Sequence, residues 1–241
     1  MMFISIHEGC LSDLKRKGVR MFLNNRHNFR SVLALVFVSL FIFALVASMV
    51  APASAAPLAA KRISQQAYHD EWRKLWEDHI TWTRVVIMGI LDDLPGTSVY
   101  IDRLLQNYED MEEALVPYYG EEDAEELGDL IQDHLVIAAE LVTAAHNGDT
   151  AGVEDATTRW YANAHDIAVQ MNEMNPKNWP LEETEQMWDD HLDATLDQAT
   201  SHLSGDFTGE VAAYDLIHDM ALEMADFISN GVMKQFPKLF K

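Results

Sequence analysis

The sequence predicts an all-α protein: an up-down bundle of about six helices in three helical hairpins, with a four-helix-bundle-like core and a hydrophobic N-terminal leader. Apolar residues after Ile63 recur three and four positions apart, as on one face of a helix, and no convincing alternating pattern indicates a strand. Gly, Pro, Asn and Asp interrupt this periodicity at intervals. The predicted helices span 64–93, 98–116, 121–146, 150–174, 180–203 and 207–235.

The first 55 residues differ in composition from the rest. They carry six Lys and Arg residues against two acidic ones, followed by a run of 20 uncharged, mostly apolar residues. Small residues at Ala53 and Ala55 then fit a signal-peptidase site. Residues 1–55 are therefore predicted to be a signal peptide or, if uncleaved, a signal anchor, since such a run can also span a bilayer. Residues 56–63 form a short predicted linker, and 64–241 form the helical domain.

Charge separates the same two parts. The whole chain has a net charge of -22, but residues 56–241 alone hold 37 acidic and 11 basic side chains, a net charge of -26. Such a surface repels phosphate groups, so we expect no nucleic-acid partner. The single cysteine, Cys10, lies in the leader, which excludes a disulfide framework or thiolate metal site in the domain. We predict an extracytoplasmic protein, secreted or at the cell surface, that meets the membrane only through an uncleaved leader.

The breakers indicate where the hairpins turn. A Gly-Asp pair at 148–149 and another at 205–206 each combine a helix-ending glycine with an aspartate that caps the next helix. Pro180 suits the first turn of the fifth helix. An offset of 57 residues aligns the second hairpin with the third, and an offset of 55 aligns the Asp-His pairs of the first and third helices. The three hairpins are therefore predicted to be related.

Three histidines fall on the apolar faces of three helices. Counting at about 1.5 Å per residue along antiparallel helices brings one carboxylate to the level of each histidine. Histidines and carboxylates on facing helices bind metals in helical bundles, so a divalent ion such as Zn, Mn or Fe is predicted. The alternative is a set of buried hydrogen bonds that fix hairpin register. The candidate metal ligands are His79, His134, His191, Asp110, Asp166 and Glu223.

Neighbouring positions add detail to this prediction. Asn107 and Asn163 are predicted to face the core more directly than the carboxylates three residues later. At the equivalent position the third hairpin has Met220. No helix pair carries the Glu-x-x-His ligands of ferritin-like bundles. Near helix ends or on mixed faces we expect surface histidines, namely His69, His146, His165 and His202.

Several motifs extend over nearly the whole predicted domain. They are Leu75-Trp76-Glu77-Asp78-His79, Trp82-Thr83-Arg84, Arg103-Leu104-Leu105-Gln106-Asn107, His134-Leu135-Val136-Ile137-Ala138-Ala139-Glu140, Arg159-Trp160-Tyr161-Ala162-Asn163, Asn175-Pro176 with Trp179, and Lys234-Gln235-Phe236-Pro237. With these motifs the chain resembles a family of small helical proteins from bacteria and archaea. Its members have no established activity, although some carry propagated names such as acetylglutamate kinase or glycosyltransferase. Those activities need an α/β sheet with nucleotide-binding turns, which this sequence does not predict. The resemblance implies no role for the histidines.

These features predict an exported acidic helical bundle that binds a divalent metal or small ligand through its core histidines and carboxylates. The alternative is a structural or partner-binding module of the cell envelope, whose polar core only fixes register. Enzymatic activity is the least favoured hypothesis, because the sequence contains no recognisable nucleophile or acid-base constellation. We therefore predict no catalytic residue.

Overall fold

The computed structural model describes residues 63–241, which form six α-helices and no strand. In chain order the helices are α1 (Gln65–Leu91), α2 (Thr97–Tyr119), α3 (Glu121–His146), α4 (Thr150–Met174), α5 (Leu181–Ser204) and α6 (Phe207–Gln235), followed by a 3-10 turn at Pro237–Leu239. The predicted all-α class is confirmed. The predicted leader and nearly all of the predicted linker lie outside the described residues.

The helices pack side by side in chain order. Each helix contacts the next, α6 returns to α1, and α1 also contacts α3 and α5 across the bundle. An ion pair joins the last helix to the first, because both Nε and Nη2 of Arg73 donate to the carboxylate of Asp226 at 2.7 Å. Among residues 63–241, no helix is both long enough and apolar enough to cross a membrane.

Aromatic side chains fill much of the core. The largest fully buried side chains include Tyr68, Trp72 and Trp76 on α1, Trp188 on α5 and Trp179 in the loop before α5. Each aromatic side chain buries about 150–250 Å² of surface, so these residues dominate the packing energy. Their positions follow the helical spacing of the sequence, which turns one face of each helix inward.

The two Gly-Asp turns adopt the predicted geometry. Gly148 and Gly205 have φ angles of +67° and +78°, a left-handed conformation that side chains disfavour. Asp149 and Asp206 each accept a hydrogen bond from the backbone N–H three residues later, at 3.0 and 2.9 Å. The second and third hairpins therefore turn by the same device, as the sequence offset predicts.

One helix end differs from the prediction. Helix α2 extends to Tyr119, beyond the predicted end at residue 116, with Pro117 inside its last turn. Proline lacks an N–H and normally breaks a helix interior. The turn nevertheless closes, because the N–H of Gly120 donates to the Val116 carbonyl at 3.0 Å.

Gly231 on α6 is expected to tolerate no side chain. A Cβ at this position would lie 2.0 Å from Nε1 of Trp179, a ring with no solvent-exposed surface. The ring cannot retreat, so Gly231→Ala should lower the free energy of unfolding by about 2 kcal/mol through overpacking. Urea unfolding followed by circular dichroism measures this change.

Gly128→Ala on α3 is the matched control. The new Cβ there would meet Oε2 of Glu112 at 2.6 Å, the far end of a flexible side chain that can move, and Cβ of Glu112 at 3.2 Å, a tight contact that a small shift relieves. Alanine favours a helix over glycine by about 1 kcal/mol, so this variant should lose much less stability than Gly231→Ala. Equal destabilisation by both substitutions would contradict the packing assigned to Trp179.

Candidate functional site

The three predicted core histidines lie on the first helix of each hairpin. His79, His134 and His191 are each only 2% exposed. The ring centroids of His79 and His191 are 5.8 Å apart, and the ring of Trp188 lies 5.4 Å from His134 and 6.1 Å from His191. The helices thus bring the histidines into one aromatic region. We call it the histidine–tryptophan centre, formed by His79, His134, His191, Trp76, Trp160 and Trp188.

An asparagine holds the first histidine. Nδ1 of His79 lies 3.0 Å from Oδ1 of Asn107 on α2, and Nδ2 of Asn107 donates to the Leu75 carbonyl oxygen at 2.9 Å. A carbonyl oxygen only accepts hydrogen bonds, so the amide nitrogen must face Leu75 and the amide oxygen must face the ring. Nδ1 of His79 therefore carries the proton, and Nε2 is its unprotonated nitrogen. We call this arrangement the His–Asn lock.

The second hairpin repeats the lock. Nδ1 of His134 lies 2.9 Å from Oδ1 of Asn163 on α4, and Nδ2 of Asn163 donates to the Leu130 carbonyl oxygen at 3.0 Å. In both hairpins the carbonyl belongs to the residue four positions before the histidine. The same polar contacts therefore join the two helices of both hairpins at the same level.

The third hairpin lacks the lock. Met220 on α6 occupies the position that Asn107 and Asn163 hold in the other hairpins, and a thioether is at best a weak acceptor. Nδ1 of His191 has no hydrogen-bond partner among the described residues. A buried polar atom without a partner costs about 1–3 kcal/mol, so the missing lock is expected to cost this hairpin stability of that order.

Burial keeps all three imidazoles uncharged. Desolvation lowers the pKa of His79 from 6.5 to about 4, although the hydrogen bond to Asn107 opposes the shift. Desolvation and then repulsion from His79 lower the pKa of His134 to about 3. The pKa of His191 also falls well below its usual value, mainly through desolvation, with added repulsion from the other two rings. The centre is neutral at physiological pH.

The predicted carboxylate partners do not reach the histidines. Asp110 is half-buried, and Asp166 and Glu223 are exposed. The count along the helices gives a similar height but the wrong face, because a step of three residues rotates a side chain about 60° away from the asparagine position. An amide is also cheaper to bury than a charged carboxylate. The predicted His–carboxylate pairs are corrected to His–Asn pairs in the first two hairpins.

The predicted metal ligands accordingly separate into two groups. The histidines lie together in the buried centre, while the carboxylates are half-buried or exposed. Within residues 63–241, no three His, Cys, Asp or Glu side chains are arranged to hold a metal ion. The nitrogen atoms in the centre that could bind a metal are the unprotonated Nε2 of His79 and of His134 and those of His191, whose ring has no His–Asn lock.

The interior beside the histidines is densely packed. A cavity of about 30 Å³ lies one helical turn beyond them, bordered among others by Thr83, Ala138 and Thr195. Pockets for small organic ligands usually occupy about 300–1,000 Å³, whereas a cavity of this size holds about one or two water molecules. An organic ligand of ordinary size therefore does not fit there.

His202 is a buried residue that the sequence reasoning wrongly places on the surface. Its Nε2 lies 3.2 Å from both carboxylate oxygens of Asp92, so it ties the end of α5 to the turn after α1. The burial has a sequence signal: His202 follows His191 by 11 residues, about three helical turns, and therefore shares its face.

Two acidic grooves lie on the surface of the bundle. The first, of about 620 Å³, opens between the beginning of α5 and the middle of α6, and we call it the methionine groove. The second, of about 590 Å³, follows the beginning of α3, and we call it the α3 groove. The methionine groove is lined by Met187, Met220 and Met224, by Glu182, Glu183, Asp190 and Glu223, and by Pro180 and Gln186. The α3 groove is lined by Glu121, Glu122, Glu125, Glu126, Asp129, Leu130 and Asp133.

Replacing His134 with Gln is expected to reduce the acid sensitivity of the fold. Above pH 6.5 the ring is neutral in both states, so it contributes no pH dependence. Below 6.5 the unfolded ring gains a proton that the folded ring, with its pKa of about 3, does not, and each pH unit lowers stability by about 1.4 kcal/mol. Between pH 7 and 5, wild type should lose about 2 kcal/mol more than His134→Gln in urea unfolding. Equal losses would mean that the folded ring is already protonated at pH 5.

Comparison with known proteins finds no relative of this chain. No protein family, curated protein or solved structure matches the chain. The resemblance seen in the sequence motifs therefore stays a prediction.

Proposed function

We propose that this chain is an exported acidic module of the cell envelope that binds a cationic partner at its surface, and that its histidine–tryptophan centre serves only to fix the fold. The observation that carries this proposal is the contrast between a closed, neutral interior and two large grooves lined by carboxylates. The interior cavity measures about 30 Å³, against about 620 and 590 Å³ for the grooves.

The His–Asn locks favour a structural role for the centre. Each lock uses the polar groups of its own hairpin, so the rings of His79 and His134 are satisfied at Nδ1 without a bound ligand. Sliding one helix past the other would leave a buried imidazole and a buried amide without partners, at a cost of about 1–3 kcal/mol each. Such contacts fix the register of two hairpins.

The grooves favour a cationic partner. Neither groove is lined by any Lys or Arg residue. In the α3 groove, desolvation and then repulsion from neighbouring carboxylates raise the pKa of Asp129, and desolvation raises the pKa of Asp133. An approaching positive charge relieves both penalties, since it favours the ionised form of a carboxylate.

The untagged protein is expected to bind a fluorescent oligolysine peptide and not its oligoglutamate counterpart. Because the attraction is electrostatic and exposed, affinity should fall at least about tenfold between 0.05 and 0.5 M NaCl. Fluorescence anisotropy measures both peptides under the same conditions. If oligolysine does not bind at low salt, the proposed function is wrong.

A second candidate function is binding of a divalent metal, such as Zn, Mn or Fe, by His79, His134 and His191. One observation favours it: Nδ1 of His191 is buried without a partner, beside two rings whose Nε2 atoms are unprotonated. Neutral imidazole is a good ligand for these ions. The three rings would have to rearrange to form such a site, because no three side chains of residues 63–241 are arranged to hold a metal ion.

Elemental analysis separates the two candidates. A structural centre predicts far less than one equivalent of any transition metal in the untagged protein, and no rise in melting temperature when metal is added. His134→Gln should then lower stability without changing oligolysine affinity. One bound equivalent of metal that is lost in His134→Gln would instead establish the metal site and contradict a purely structural centre.

A further inference from the structure

We propose that the methionine groove binds a basic amphipathic helix of a partner protein. The inference rests on the proposed function and deepens it, because it assigns the cationic partner a conformation and a place. The apolar face of the partner helix would contact the methionines, and its Lys and Arg side chains would meet the surrounding carboxylates.

The half-buried Met187 and Met220 supply an adaptable apolar surface. Met224 is only 1% exposed and belongs to the core beneath them. Met220 and Met224 lie one turn apart on α6, while Met187 faces them from α5. Unbranched thioether side chains adjust to differently shaped apolar partners, which is why they recur at surfaces that bind amphipathic helices.

Carboxylates surround the methionines on both helices. Glu182, Glu183 and Asp190 lie on α5 and Glu223 lies on α6, and all four are exposed. Because the methionines are more buried than the carboxylates, the groove is apolar in its depth and acidic at its edge. A helix with one apolar face and positive charges on its flanks matches both parts.

The dimensions favour a segment over a single ion. The α5 side of the groove runs from Pro180 to Asp190, eleven residues that span about 15 Å along the helix axis. That length corresponds to about three turns of a partner helix. An isolated cation would contact only one end of a groove this long and would leave the methionines uncovered.

The hairpin that forms this groove is also the one without a His–Asn lock. Met220 stands where the other hairpins have asparagine, and the same residue lines the groove. The energetic cost of the missing asparagine falls on Nδ1 of His191, which is buried without a hydrogen-bond partner. His191 directly follows Asp190, which lines the groove. A residue that weakens the interior while it shapes a surface groove is typical of a functional position.

The test uses a labelled 14-residue Lys/Leu peptide with leucines spaced three and four apart, and a peptide of the same composition with alternating leucines. The full protein should bind the first peptide more tightly and increase its helical circular dichroism signal. Met187→Gln combined with Met220→Gln should weaken this binding about tenfold, the scale of losing a central contact.

Charge variants at exposed positions supply matched controls. Glu183→Gln with Glu223→Gln should weaken binding of the helical peptide about fivefold, a typical loss for exposed charge pairs. Glu125→Gln with Glu126→Gln removes the same charge from the α3 groove, which has no methionine, and should change the affinity less than about twofold.

The outcomes separate this inference from the proposed function. If the methionine-groove variants bind the helical peptide as tightly as wild type, or if both peptides bind equally well, the groove assignment is wrong while general cation binding stands. If wild type binds neither these peptides nor oligolysine, the proposed function fails. If the methionine double variant has a lowered melting temperature, its weaker binding could reflect partial unfolding. The charge variants then decide whether the groove binds the helical peptide.

Discussion

An imidazole is buried in an apolar core without a large energetic cost only if it stays uncharged and finds a partner for its N–H. In this bundle an asparagine on the neighbouring helix meets that requirement for His79 and for His134. The amide has a fixed position along its helix, so the contact sets the height of one helix relative to the other. Once that register is fixed, the tryptophans that surround the rings and the residues that face solvent follow from helical geometry.

Charge is distributed according to the same constraint. Formal charge lies almost entirely on the outside, while the centre holds neutral rings whose pKa values burial lowers. Carboxylates crowd each other on the surface, and desolvation and then neighbouring carboxylates raise the pKa of Glu112 and of Asp129. The domain therefore carries self-repulsion at its surface that a bound cation would reduce.

The fold and the site differ in how far the sequence predicts them. Helical spacing and the Gly-Asp turns suffice for the helices and hairpins, because both signals are local. The burial of the three histidines is also local, since it depends on the apolar stripe. The hydrogen-bond partners of the histidines cannot be predicted locally. Counting residues gives only the height of a side chain along the helix axis, whereas its rotation toward a neighbour depends on how the two helices pack. The same limit conceals the methionine groove, which exists only where α5 meets α6.

The absence of a lock in the third hairpin has a consequence for how such a protein changes over time. Three similar units share one interior, and two of them hold it in register, so the remaining unit can accept substitutions that would be too costly in a bundle without repetition. Met220 stands at a position of this kind. Repetition of this kind lets two copies hold the helices in register while residues of the third copy are free to change.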